Sequence, residues 1–178
     1  MFTYFGHNCF LFETDSNIFL IDPWFSRKGA FFGSWFQYPP NHQYGEDIIK
    51  LSKNKKLVLF VTHEHLDHFD IDFITQLDIS KVIVPKYHDK FMYEKFVSIG
   101  LKTFEVAHNI DFSISDDISI KLLISDVGIN HDSAILVRTP EGVFFNQNDC
   151  KIFDQLNLIT QEIDYYSVQF SGATWHPV

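Results

Sequence analysis

Four candidate metal ligands, His63, His65, Asp67 and His68, fall within the six positions His63-Glu64-His65-Leu66-Asp67-His68. His63 and His65 are two residues apart, so on an extended segment they point the same way. Asp67 and His68 follow as the chain turns. A zinc-type ion takes three or four nitrogen or oxygen ligands at about 2.0–2.2 Å, and a cluster this dense can supply them. Imidazole with carboxylate suits Zn first, with Fe or Mn as alternatives, and no thiolate stands among these residues. An ion held this way lowers the pKa of a bound water to about 7 and polarises a scissile bond, which is hydrolytic chemistry.

Two distal pieces support the cluster. His131 stands on a turn just before the strand Ser133–Arg138, and Asp149 just after the strand Val143–Asn146. A His and an Asp at strand ends could complete a site for two ions. The elements that must position these groups read clearly in places. Residues 2–5, 8–13 and 17–22 form short strands with turn chemistry at Thr14-Asp15-Ser16, and Pro23 stops the pattern. The apolar run Leu57–Val61 is a strand leading straight into His63, at the kind of strand end where α/β sites lie. Helices are expected over Gly45–Lys53, 70–77, 89–98 and 152–161. Further strands are expected at Lys81–Pro85, 102–106, 110–114, 118–124 and Tyr165–Gln169. Residues 24–44 are rich in aromatics, with two Gly and two Pro between Trp24 and Pro40. They form a long ordered loop, a kind of segment that tends to be functional. The order of elements fits a layered α/β sandwich better than an all-parallel sheet.

The 178 residues allow one domain, spanning 1–178. A net charge of −9, with 14 Lys+Arg against 23 Asp+Glu, is a poor match for nucleic acid. The sequence also lacks a basic amphipathic face for a membrane surface and any run of 18 apolar residues. The expected partner is a small-molecule substrate. With two Cys and no signal peptide visible, a reduced cytoplasmic chain is the simplest reading. Cys150 is expected to be core, and His7, His42, His88 and His108 surface or loop residues, although His7, at a turn, could approach the cluster.

The six-residue cluster resembles the HxHxDH motif of the metallo-β-lactamase fold superfamily, with Asp22, His131 and Asp149 in the expected order. The resemblance implies an αββα sandwich of two βα halves. It places His63, His65 and His131 at a first metal position, and Asp67 and His68 at a second, with Asp149 bridging. One or two divalent ions are thus the implied cofactor, and Asp67 and Asp149 the catalytic candidates, Asp67 either as ligand or as proton acceptor. Asp22 and Asp132 are implied to orient ligands, and Trp24, Phe25 and Trp35 to wall the substrate pocket. Within the superfamily, Asp22-Pro23-Trp24-Phe25, Asn148-Asp149-Cys150 and Phe170–Pro177 are similar to the lactamase-like domain of CMP-N-acetylneuraminate hydroxylase and its bacterial relatives.

Two departures shape the functional expectation. That hydroxylase depends on a Rieske cluster bound by Cys-x-His pairs, and neither Cys9 nor Cys150 begins one. The superfamily also places a further His ligand well beyond Asp149, where only His176 stands, and His176 reads as a strand-end residue. The sandwich is therefore expected to be incomplete at its C-terminus, the N-terminal portion of a longer enzyme. A C-terminal segment or a second copy of the chain would complete the site. The leading expectation is a metal-dependent hydrolase of an ester, phosphodiester or related bond. The alternatives are an iron-dependent hydroxylase-like module acting on a CMP-sugar with electrons from a partner, and a degenerate metal-binding domain.

Overall fold

Strand alternation sorts the apolar side chains into two cores. The computed structural model describes residues 2–127 and 130–169. In β8 (Ser119–Val127), Leu122 and Ile124 face one cluster while Leu123 faces another. In β9 (Asn130–Thr139), Ile135 and Val137 join the first cluster, Ala134 and Leu136 the second. Phe144 and Phe145 of β10 (Gly142–Asn146) divide the same way. This period of two is what a sheet buried on both faces requires.

The first cluster lies between two sheets. One sheet has six strands in chain order: β1 (Phe2–Gly6), β2 (Cys9–Glu13), β3 (Asn17–Ile21), β4 (Lys56–Phe60), β5 (Ile79–Pro85) and β6 (Thr103–Val106). Strands β1, β2 and β3 pair antiparallel, whereas β3 to β6 pair parallel. The parallel strands read as continuous apolar runs because both their faces are covered. The second sheet has the order β11-β10-β9-β8-β7, with β7 at Asp111–Ser113 and β11 at Tyr165–Ser167. Helices α1 (Gly45–Asn54), α2 (Ile71–Ile74) and α3 (Phe91–Ser98) occupy the crossovers of the parallel strands. The result is a mixed α/β sandwich of two sheets and few helices, as the sequence predicts. No helix among the described residues is long and apolar enough to cross a membrane.

Three helix boundaries differ from the sequence reading. The helix expected over 70–77 contracts to Ile71–Ile74, and that over 89–98 begins at Phe91. In place of a helix over 152–161 there is a single 3-10 turn, Leu156–Leu158. Asp154, Asn157 and Thr160, together with the β-branched and aromatic residues Ile152, Phe153 and Ile159, weaken the helix propensity of this stretch. Its apolar groups are used locally instead: Cys150, Ile152, Leu158 and Ile159 cover Leu123, Leu136 and Phe145 on the outer face of the second sheet.

Asp70 ties the long aromatic loop to this frame. One carboxylate oxygen accepts from the backbone N–H groups of Phe25 (3.1 Å) and Ser26 (2.8 Å), while the other caps α2 at the Phe73 N–H. Phe25 is then packed between Phe5 and Phe73, with ring centroids 5.7 and 4.8 Å away. Asp70→Ala removes a cap and leaves buried N–H groups unpaired. It is expected to cost about 1–3 kcal/mol in urea unfolding, against little change for Asp70→Asn at the cap.

Candidate metal centre

Register brings four strand ends to one place. Ile21 pairs with Phe60, so the residue after β3, Asp22, lies beside the chain leaving β4. Phe10 pairs with Ile21 in antiparallel fashion, so the tip of the first hairpin, His7-Asn8, reaches the same edge. In the facing sheet, Asn146 pairs with Ile135, which sets Asn148 and Asp149 near Asp132. The loop after β4 then coils on itself: the N–H groups of His68 (2.9 Å) and Phe69 (2.7 Å) both donate to the His65 carbonyl. That turn folds His68 back until its ring lies 4.3 Å from the ring of His63.

Asp22 is the hub beneath the histidines. It is fully buried and has a positive φ of 41°, a conformation Asp tolerates better than most residues. Its carboxylate accepts from the Thr62 N–H (2.8 Å), the Thr62 hydroxyl (2.6 Å), the Asn8 amide (2.7 Å) and His68 Nδ1 (2.8 Å). Because the Thr62 proton goes to Asp22, Thr62 Oγ1 is left to accept from His63 Nδ1 at 3.0 Å. Both rings are therefore held through an Nδ1 proton, which turns Nε2 toward the cleft as the nitrogen left for a metal. Asn8, Asn146 and Asn148 continue the network into the second sheet. Asn146 donates to Asn8 (2.9 Å), and Asn148 donates to Asp132 Oδ1 (2.8 Å) and to Thr62 Oγ1 (3.2 Å).

Two groups of three ligand atoms stand above this base: His63, His65 and Asp149, and His7, Asp67 and His68, each with atoms within 4.8 Å of one another. His63 Nε2 and His65 Nδ1 approach to 2.8 Å. His7 Nε2 lies 3.1 Å from Asp67 Oδ2 and 3.3 Å from His68 Nε2. Asp149 Oδ1 is 3.9 Å from His68 Nε2, so Asp149 lies between the two groups. Asp67 Oδ1 and Asp149 Oδ1 are buried with no hydrogen-bond partner, a costly state for a carboxylate unless a cation is supplied. On donor chemistry and on these orphaned oxygens, the residues fit one or two divalent ions.

This fold has counterparts among known proteins. The family model described as Beta-lactamase superfamily domain matches residues 1–151. The chain belongs to that superfamily. A relative from Mycolicibacterium smegmatis, named for a Rieske 2Fe-2S iron–sulfur protein, is 30% identical over 97% of this chain and 34% of its own. A UPF0173 metal-dependent hydrolase of Pyrobaculum islandicum is 25% identical, covering 90% of this chain and 66% of its own. The metallo-beta-lactamase fold protein YhfI from Bacillus subtilis superimposes with a TM-score of 0.52 at 12% identity, over 83% of this chain and 62% of that one. The chain thus spans about a third of the length of the Rieske-named relative.

The electrostatics suit a metal centre of this superfamily. Burial holds the His63 imidazole well below its usual range, helped by the neighbouring His68, His65 and His7. Burial opposes charge on His68 too, but there the hydrogen bond to Asp22 and the charges of Asp22, Asp149 and Asp67 win, raising it to about 9. Burial would raise Asp67, yet the contacts with His7 and His68 bring it below the usual carboxylate range. Asp132 is pushed well up, by burial and then by the charge of Asp149. Cys150 is buried with its thiol pushed up by burial and by Asp132, so it is no nucleophile.

The superfamily motif residues do not all gather. His63, His65, Asp67, His68 and Asp149 meet at the centre, and Asp22 lies directly under it. Asp132 Oδ1 sits 3.3 Å from His63 Nδ1. His131 is placed elsewhere, with its nitrogens against Asp126 and Asp89. Of the three aromatics expected to wall the pocket, Trp35 lines a cleft of about 360 Å³ over the centre, together with Tyr4, His7 and Asp149. Trp24 is buried edge-on to His7 (5.2 Å), and Phe25 is core. His176 lies outside the described residues, as do Phe170–Pro177 as a whole. The sequence assigns no role to Asn8, Thr62, Asn148 or Asp70, and it reads His7 as a surface or loop residue at a turn that could approach the cluster. A polar residue ending or following a strand, next to a ligand, is the signal that could have found them.

Proposed function

We propose that the chain is a metal-dependent hydrolase module that opens an ester, phosphodiester or related bond in a small molecule. The observation that carries this reading is the pair of abutting three-ligand groups with Asp149 between them. Divalent ions bound there would supply a water ionised near neutral pH and a Lewis acid for the scissile bond. Thr62 and Asp22 hold His63 and His68 through Nδ1, so that Nε2 of each would be the ligand atom. Asp67, whose Oδ1 is buried and unpartnered, would serve as a metal ligand or as the proton acceptor. The cleft above is lined by Tyr4 and Trp35 and carries no Lys or Arg among its described residues. Lys28 and Arg138 are engaged with Asp72 and Asp111. A substrate with little negative charge suits such a lining better than a highly anionic one.

The name of the 30%-identical relative favours a second reading, in which the same centre holds iron and works as a hydroxylase-like module. Cys9 and Cys150 are both buried and form no Cys-x-His pair, so the electrons would come from another segment or chain.

Elemental analysis of protein purified without oxygen, followed by ester and phosphodiester assays, separates the two. Bound zinc with turnover supports hydrolysis; iron with O₂ uptake in the presence of a reductase supports the second reading. His63→Ala and Asp149→Ala are each expected to lose metal and to lower activity tenfold or more. Unchanged metal content in both variants would remove the basis for either.

A further inference from the structure

Outside this centre, His131 makes a pair of contacts that a neutral imidazole cannot satisfy. Its side chain is only 5% exposed. Nδ1 lies 2.6 Å from Asp126 Oδ1, and Nε2 lies 3.0 Å from Asp89 Oδ2. A neutral imidazole has one N–H and one lone pair, so with a carboxylate at each nitrogen one lone pair must face an oxygen. Despite its 2.6 Å approach, the buried Nδ1 has no hydrogen-bond partner of acceptable geometry. His88 Nδ1 converges on the same Asp126 oxygen at 2.8 Å, and the rings of His88 and His131 are 4.8 Å apart. Three ligand atoms, from His88, Asp126 and His131, lie within 4.8 Å of one another.

We propose that His88, Asp126 and His131 form a separate binding site for a zinc-class divalent cation. Two imidazoles and a carboxylate are a ligand set that zinc accepts, with a fourth position left to water. Asp89 at the far nitrogen of His131 is the carboxylate that fixes a ligand imidazole in place. A cation would resolve the contact at Nδ1 by giving the lone pair and the carboxylate a shared partner. The site would also brace the rim of the main centre. It joins the segment after β5 to the β8–β9 pair, and the neighbouring Tyr87 hydroxyl donates to the Thr62 carbonyl (2.5 Å), next to His63.

The site stands independently of the hydrolase reading, and zinc binding by variants tests each alone. His88 is largely exposed, so His88→Ala should fold normally. In equilibrium dialysis against Zn²⁺, His88→Ala and Asp126→Asn are each expected to bind one equivalent fewer than the unaltered chain. His63→Ala is expected to retain the equivalent that His88→Ala loses. Zn²⁺ should raise the Tm of His63→Ala and do so less in the double variant with His88→Ala. Equal zinc content in His88→Ala, Asp126→Asn and the unaltered chain would overturn the proposal. Loss of all zinc in His63→Ala would overturn the independence of the site.

Discussion

Asp22→Ala is expected to destabilise the folded chain by about 3–5 kcal/mol, the cost of stripping one partner from a buried ion pair. The carboxylate answers four donors at once: the Thr62 N–H, the Thr62 hydroxyl, the Asn8 amide and His68 Nδ1. None of them can turn to water, since Thr62, Asn8 and His68 are themselves buried. Alanine also fits the positive φ at this position poorly, adding roughly 1–2 kcal/mol of local strain. Asp22→Asn separates the two effects. It tolerates the backbone and keeps one carbonyl acceptor but loses the charge facing His68, so a smaller loss is expected. Urea unfolding of the metal-free protein measures both. A loss below 1 kcal/mol for Asp22→Ala would show that the network rearranges, and the anchoring of His68 Nδ1 by Asp22 would lose its support.

How far the sequence discloses this centre depends on how local each contact is. His65, Asp67 and His68 sit on one turn closed by hydrogen bonds to the His65 carbonyl, directly after His63, so six consecutive residues contain four of the six clustered ligands. Asp22 is legible because it ends a strand that pairs with the strand feeding the motif. His131 and Asp132 are the opposite case. Neighbours on a strand point to opposite faces, and a shift of one residue exchanges them. Spacing does not say which of the two faces His63, and the structure puts Asp132 there. His7 depends on the antiparallel register Phe10–Ile21, a long-range pairing that carries the hairpin tip across to Asp67. Phe25 shows the limit of composition: an aromatic loop supplies both pocket wall and core, and only the Asp70 anchor decides that Phe25 is core.

The pair His63 and His68 should give the metal-free protein a stability maximum near pH 6.5, falling on both sides. His68 is raised to about 9 in the folded state, by Asp22, Asp149 and Asp67 acting against burial. Its ordinary value is 6.5, so between 6.5 and 9 the folded chain holds a proton that the unfolded chain has released. This stabilisation is complete below 6.5 and is lost as pH rises through 9. A shift from 6.5 to about 9 corresponds to roughly 3 kcal/mol. His63 works in the other direction. Burial keeps it neutral, so below 6.5 the unfolded chain takes up a proton that the folded chain refuses, and stability falls as the pH drops. The groups facing His68 are Asp22, Asp67, Asp149, His7 and His63, and only the first three favour its proton. Removing the Asp22 charge with Asp22→Asn is therefore expected to flatten the alkaline limb. Zinc should flatten it as well, because a ligand imidazole gives up its Nε2 proton. Urea unfolding in EDTA at intervals from pH 5 to 9.5 measures both limbs. A stability that stays level from pH 6.5 to 9 would mean that His68 carries no extra proton in the folded chain, and that Asp22 holds it by hydrogen bonding alone.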